Sequence, residues 1–283
     1  MPTAILLISC PDTKGITASV SDFIYKNNGN IEHADQHIDS QSNTFFMRIE
    51  WALKNFSIPK RNIADIFSKL AKQFKMSWSL NFSEDIPRVA IFVSGYTHCF
   101  YDLLLRYEEG QLNCRIPIVI SNHTVAKKIT DGFNIKFYEF PLTKENKAVV
   151  EKQEITLLKK EKIDLIVLAR YTQILTNKFV GEFTNRIINI HHSFLPAFVG
   201  ENPYGQAYRR GVKIIGASSH YVTEELDAGP IIEQDTVRIS HRDALRDLKI
   251  KGQDLEKVVL SRAVRWHLER KILVYNNKTV VFD

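Results

Sequence analysis

Apolar residues along this chain keep two rhythms, one of period two and one near 3.6, and the switches between them mark out elements. Residues 4–10 form a continuous β-prone run, and a turn cluster at 11–15 follows. Ile16, Val20, Phe23 and Ile24 then recur at helical spacing until Asn28-Gly29-Asn30, which predicts a helix over 16–28. Residues 31–40 and 44–53 read as two strands joined at Gln41-Ser42-Asn43. Pro59 opens a second helix through 75, with Ile63, Ile66, Phe67, Leu70 and Phe74 on one face. Residues 76–82 alternate in Trp78, Leu80 and Phe82, a last strand. The order β-α-β-β-α-β is the ferredoxin-like arrangement, and it predicts an amino-terminal unit over 1–84.

Ser83 to Pro87 is polar, contains a proline and reads as a linker. Beyond it, strands are predicted at 89–94, 116–121, 135–138, 163–169 and 187–190. Helices fall between them near 98–109, 125–131 and 144–160. Strand-helix alternation predicts a doubly wound, mostly parallel sheet with helices on both faces, in a second unit over 85–283. Residues 163–169 are almost wholly apolar, as a central parallel strand requires. Two further strands at 213–221 and 231–239, a long helix over 242–269 and a hairpin around Asn276-Asn277 complete the expected α/β order.

Composition narrows the class. Of 283 residues, 44% are hydrophobic and 25% charged, which is globular and excludes a disordered or collagen-like chain. Residues 187–200 are the longest stretch free of Asp, Glu, Lys and Arg. They fall short of the roughly 20 residues a membrane span requires. The apolar start follows no basic residue and precedes no small-residue cleavage site, so a secretory signal is not expected. Three cysteines (Cys10, Cys99, Cys114) are too few and scattered for a disulfide framework or a zinc site, and a reduced, cytoplasmic protein is expected. The net charge of +6 is diffuse and makes no basic stripe; Lys159, Lys160 and Lys162 read as a solvated helix end, so no nucleic acid is expected as a partner.

Candidate chemistry concentrates in two segments. Asn189-Ile190-His191-His192-Ser193-Phe194-Leu195-Pro196 lies at the end of a buried strand. Residues two apart on a strand share a face, so Asn189 and His191 project together where open parallel sheets bind ligands. An amide can donate to a developing oxyanion, and an imidazole can move a proton near neutral pH. The second segment runs from Ser219 through His220, Thr223 and Asp227 to Gly229-Pro230. A carboxylate in that loop can orient a strand-end histidine or take a proton from water. Glu224 and Glu225 read as a solvated acidic turn, and Asp227 is the chemical candidate. His191-His192 as a metal pair is disfavoured, since neighbours on a strand face opposite ways and no third ligand follows at metal spacing. Ser193 lacks a nucleophile elbow, and Gly95 stands alone where a dinucleotide loop needs three glycines. Cys99 reads as core.

Together, Asn-Ile-His-x-Ser-x-Leu-Pro at 189–196 and Glu-Leu-Asp-x-Gly-Pro-Ile-Ile at 225–232 resemble the active-site signature of the folate-dependent formyltransferases. Cys10-Pro11-Asp12-x-x-Gly15-Ile16 resembles the first turn of an ACT domain. This pairing resembles the formyltetrahydrofolate deformylase family, as do Leu168 through Leu175, the run from His191 to Lys213, and Glu233-Gln234-Asp235. Purine-pathway transformylases carry a glycine-rich phosphate loop where this chain reads Ser94-Gly95-Tyr96-Thr97-His98-Cys99, and methionyl-tRNA formyltransferases carry a further carboxy-terminal barrel.

The resemblance implies hydrolysis of 10-formyltetrahydrofolate to formate and tetrahydrofolate, balancing one-carbon pools for purine biosynthesis. Asn189 and protonated His191 are then expected to donate to the oxyanion, with Asp227 holding His191 and positioning or deprotonating water. Thr172, Gln173, Ile174 and Leu175 are expected to cup the pterin, with His220 and Thr223 in the substrate site. Arg170 would meet the anionic tail or cap its strand. No metal or organic cofactor is expected. The ACT-like unit implies self-association, a homo-oligomer, or an amino-acid effector at Asp12 and Gly15, beside the amides of a helix N-terminus. A folate or amino-acid sensor without catalysis is the competing class.

Overall fold

The computed structural model describes residues 1–197 and 202–283. Residues 198–201, at the end of the charge-poor run noted above, lie outside the described residues. The chain forms two compact units: Met1–Ile86 with Arg270–Tyr275 and Val280–Asp283, and Pro87–Glu269 with Asn276–Thr279.

In the first unit, β1 (Thr3–Pro11), α1 (Ile16–Lys26), β2 (Asn30–Asp39), β3 (Thr44–Ala52), α2 (Ile63–Gln73) and β4 (Ser77–Phe82) give the expected order. The sheet runs β2-β3-β1-β4, antiparallel at each pairing. Period-two alternation sends Leu6 and Ile8 of β1 and Met47, Ile49 and Trp51 of β3 into one core with Val20, Ile24, Ile63 and Phe67 of the helices.

The opposite face of this sheet accounts for the one departure in unit boundaries. Leu7 and Phe46 face away from the helices and need cover. Leu273, Tyr275, Val280 and Phe282 supply it. The Tyr275 ring lies 4.4 Å from that of Phe46, and Arg48 Nε donates to the Arg270 carbonyl at 3.1 Å. Residues 270–275 and 280–283 therefore belong with the first unit rather than with all of 85–283, as the sequence order implied.

The second unit contains β5 (Arg88–Val93), α3 (His98–Glu108), β6 (Arg115–Ser121), α4 (Lys127–Gly132), β7 (Lys136–Glu139), α5 (Lys147–Lys160), β8 (Leu165–Leu168), α6 (Asn177–Glu182) and β9 (Ile187–His191). α7 (Pro203–Arg210), β10 (Ile214–Tyr221), β11 (Ile231–Arg238) and α8 (Leu245–Leu268) follow. A last hairpin pairs β12 (Ile272–Tyr275) with β13 (Lys278–Val281). The seven-stranded sheet is ordered β11-β10-β9-β8-β5-β6-β7. Its pairings are parallel from β9 to β7 and antiparallel at β9-β10 and β10-β11. The chain leaves β5 toward β7 and returns to β8, so the order reverses between β5 and β8. A crevice opens outside the carboxyl ends of strands at such a reversal. α6 and α7 were not legible in sequence. α6 has six residues, set by Thr176, whose hydroxyl accepts from Phe179 N, and α7 starts at Pro203 with the Asn202 side chain accepting from Gly205 N. Among the described residues, no helix is long and apolar enough to cross a membrane.

One buried group on α5 is set against its surroundings. Glu154 is fully buried and neither carboxyl oxygen has a hydrogen-bond partner among the described residues. Burial, aided by the neighbouring charge of Glu151, pushes its pKa up from 4.5 to about 8. The folded chain therefore holds a proton that the unfolded chain has released. This contribution to stability is complete below pH 4.5 and is lost as the pH rises to about 8. Glu154→Gln should remove that dependence. Thermal melts from pH 5 to pH 9 should fall less steeply for the variant than for the wild type, and parallel curves would show that Glu154 does not titrate in this window.

Candidate active site

The centre of the site is set by one strand register. β9 and β10 pair antiparallel with Asn189 opposite His220 and His191 opposite Ser218. Asn189 and His191, two apart, share a face as their spacing predicts. Cross-strand pairing puts the Asn189 side-chain nitrogen 3.3 Å from His220 Nε2. His220 Nδ1 lies 2.9 Å from the Tyr221 carbonyl. A carbonyl only accepts, so the hydrogen sits on Nδ1 and Nε2 of the neutral ring accepts from Asn189. The Asn189 amide is thereby oriented, with one N–H engaged and the second without a partner among the described residues. Between β10 and β11 the register skips Ile232 at the step from Ser219 to His220, a local irregularity of the kind that re-aims side chains beside active sites.

Asp227 closes the constellation. Its Oδ2 is 3.2 Å from His191 Nδ1 and its Oδ1 is 3.6 Å from His220 Nε2. The loop can place it there because Asp227 adopts a left-handed backbone (φ 55°) and Gly229 follows. A Cβ at 229 would stand 1.8 Å from the Tyr221 carbonyl oxygen, so only glycine lets the loop press against the end of β10. Burial works to raise the Asp227 carboxyl, but the hydrogen bond from His191, with the His220 ring beside the other oxygen, outweighs it and holds it well below the usual carboxylate range. His191 is itself buried, and its Nε2 has no hydrogen-bond partner among the described residues.

The turn after β9 is pinned from behind. The Ser218 hydroxyl donates to the Ser193 carbonyl at 2.8 Å and accepts from Leu195 N at 2.9 Å, and Gln234 Nε2 donates to the Leu195 carbonyl at 3.0 Å. Rigid backing of this kind holds a reacting group to within a fraction of an ångström. Ser193 is thus a structural hydroxyl, donating to the Ala197 carbonyl.

Asn189, His191 and Asp227 border a cleft of about 780 Å³ that is also lined by Arg170, Thr172, Gln173, Ile174, Leu175, His220 and Thr223. All ten sequence-selected residues of the second unit therefore meet in one place. Thr172 N donates to the Ser94 hydroxyl at 3.1 Å, which ties the start of the 172–175 loop to the end of β5. Ile174 is 59% exposed, an apolar side chain offered to the cleft, while Leu175 is buried in the core. Glu224 and Glu225 are exposed, in keeping with a solvated acidic turn. Asp12 and Gly15 lie in the first unit, in the turn between β1 and α1.

One reading needs correction. His192 does not face away from His191. β9 ends at His191, the chain bends, and the two rings stand 5.1 Å apart with both residues on the cleft. Burial, reinforced by the Arg170 charge, pushes His192 down to about 4, so it is neutral at pH 7. Arg170, expected at the anionic tail or capping its strand, has partners within the protein. Its Nε is 3.3 Å from Glu256 Oε2, and its guanidinium lies 5.2 Å from the centre of the Tyr96 ring.

Glu256 was missed in the sequence, and it organises the rest of the cleft floor. It is fully buried, receives hydrogen bonds from Tyr204 and His98, and pairs with Arg170. Burial acts to raise its carboxyl, and those partners reverse the effect and lower it. The available signal was a charged residue four positions after Gly252 on the largely apolar buried face of α8. Its partners come from α3, α7 and the end of β8, separations no local pattern reveals. His98, Cys99 and Glu256 bring ligand atoms within 4.8 Å of one another. They fit a metal poorly, because the Arg170 cation already sits at the same carboxylate oxygen and burial raises the Cys99 thiol well above its ordinary value.

Comparison with known proteins agrees with this geometry. Residues 87–264 match the Formyl transferase family. A formyltetrahydrofolate deformylase from Synechocystis is 56% identical over 99% of this chain and 98% of its own. The crystal structure of a formyltetrahydrofolate deformylase from Pseudomonas syringae superposes with a TM-score of 0.98 at 45% identity, covering 100% of this chain and 95% of that one. Glycinamide ribonucleotide transformylase 1 from Symbiobacterium toebii matches at a TM-score of 0.67 and 26% identity, covering 72% of this chain and 98% of its own. Full-length identity, the matched domain and the convergence of Asn189, His191 and Asp227 on one cleft agree, and the chain belongs to the formyltetrahydrofolate deformylase family.

Proposed function

We propose that the cleft hydrolyses 10-formyltetrahydrofolate to formate and tetrahydrofolate through Asn189, His191 and Asp227. The observation that carries this reading is a buried imidazole with one nitrogen on a carboxylate and the other unpartnered. With its hydrogen on Nδ1 and directed at Asp227, neutral His191 offers the Nε2 lone pair to a water. As that water attacks the formyl carbon, its proton passes to Nε2, and the ionised Asp227 stabilises the imidazolium. The oxygen of the tetrahedral intermediate takes the second N–H of Asn189. The imidazolium then donates toward the intermediate, the C–N10 bond breaks, N10 keeps the proton and formate leaves. Asp227 is a poor proton acceptor in this scheme because its carboxyl is held low, so it positions and compensates charge. An oxyanion donor contributes roughly 3–4 kcal/mol to such a barrier, and positioned proton transfer contributes roughly 10²–10⁴ in rate. Water is the only co-reactant, and the step draws on no cofactor.

The 172–175 loop and Thr223 hold the folate ring, while His220 acts through Asn189 rather than on substrate. In the cell the reaction supplies formate in the cytoplasm and balances one-carbon pools for purine synthesis. The first unit serves self-association, and its Asp12–Gly15 turn is where an amino-acid carboxylate would meet the first amides of α1. A sensor that only binds folate is the second class, and formate release separates the two.

Asp227→Asn should lower formate release by about 10³-fold while folate affinity, measured by fluorescence titration, stays within a few-fold; unchanged turnover would reject the assignment. His220→Phe should cost about 10- to 100-fold in kcat with KM little changed, since it frees the Asn189 amide to rotate. A variant that altered KM alone would place His220 on the substrate instead.

A further inference from the structure

Proteins of this fold divide into those whose formyl group meets water and those, such as the transformylase matched above, named for transfer to glycinamide. The trio at 189, 191 and 227 does not explain the difference, since activating an amine and activating water ask the same of it. An amine acceptor needs more than water does: space beside the formyl carbon, and acceptors for its N–H groups and polar substituents. The cleft floor bears on both needs.

Glu256 is a fully buried carboxylate at that floor that would serve as an acceptor, and each of its oxygens already has a protein partner. Tyr204 donates to Oε1, His98 Nε2 lies 2.8 Å from Oε2, and Arg170 Nε lies 3.3 Å from the same oxygen. Tyr96 stacks over the Arg170 guanidinium. The cluster adjoins the reacting groups through a chain of rings, His191 to His192 at 5.1 Å and His192 to Tyr204 at 6.0 Å. α8 is shaped to admit it. A Cβ at Gly252 would stand 2.1 Å from the Tyr204 hydroxyl, so a glycine that weakens a helix interior leaves Tyr204 its path to Glu256. Burying a carboxylate is expensive unless partners are supplied, and here Tyr204 and His98 hydrogen-bond Glu256 while the Arg170 charge stands 3.3 Å away.

We propose that the Glu256 cluster, with Tyr96 over Arg170, is a specificity device that closes the acceptor side of the cleft and reserves the formyl carbon for water. This rests on the hydrolytic reading above. Opening the cluster lets an amine nitrogen attack instead: its bond to the formyl carbon forms, the C–N10 bond breaks, and a proton from the amine ends on N10.

The test offers hydroxylamine or glycinamide together with 10-formyltetrahydrofolate and measures the formylated amine beside formate, after subtracting the enzyme-free reaction. Tyr96→Ala removes a ring that is 53% exposed and should leave folding intact, while Tyr204→Phe keeps the ring and frees Glu256 Oε1. The ratio of transfer to hydrolysis should rise about tenfold or more in either variant over the wild type. Equal ratios in the wild type and both variants overturn the specificity device. A wild type that releases no formate overturns the hydrolytic reading itself, which makes the two failures distinguishable.

Discussion

The contact between His191 Nδ1 and Asp227 Oδ2, 3.2 Å long and buried, is the interaction on which the site depends. It fixes which imidazole nitrogen bears the hydrogen and therefore what the other can do. It also needs much of the second unit to exist. β9 supplies the imidazole, the irregular register of β10 and β11 aims His220 at the same carboxylate, and Gly229 lets the Asp227 loop close against Tyr221. Ionised Asp227 is the group that makes a protonated His191 tolerable at a buried position.

The cleft floor repeats the same economy with the opposite purpose. Asp227 collects two imidazoles and leaves a nitrogen of one of them unpartnered among the described residues, whereas Glu256 collects His98, Tyr204 and Arg170, so that each of its oxygens already has a partner. One carboxylate prepares a proton acceptor; the other withdraws hydrogen-bonding capacity from the site. A fold shared with transferases can in this way differ in what it admits without altering the three side chains at the reacting centre.

What the sequence disclosed follows the range of the interactions. Period-two and helical rhythms are local, so the ferredoxin-like order and the strands of the large sheet were legible. Asn189 and His191 were legible because strand spacing alone puts them on one face, and Asp227 because a Gly-Pro pair follows it in a loop beside a strand end. His192 was misjudged because alternation was extended one residue past the end of β9. Arg170 and Glu256 were illegible as a pair, since 86 positions and five intervening elements separate them. α6 and α7 escaped because their caps, Thr176 and Asn202, act over a single turn with little apolar periodicity. The carboxy-terminal residues 270–275 and 280–283 were assigned by chain order, while the uncovered apolar face at Leu7 and Phe46 decided where they pack.

The most direct measurement of the central claim is the tautomer of His191, read by nitrogen NMR on histidine-labelled protein. The account predicts, for the neutral ring, a protonated Nδ1 with a strongly downfield hydrogen and an unprotonated Nε2, a pattern lost in Asp227→Asn. A neutral His191 carrying its hydrogen on Nε2 in the wild type would contradict it.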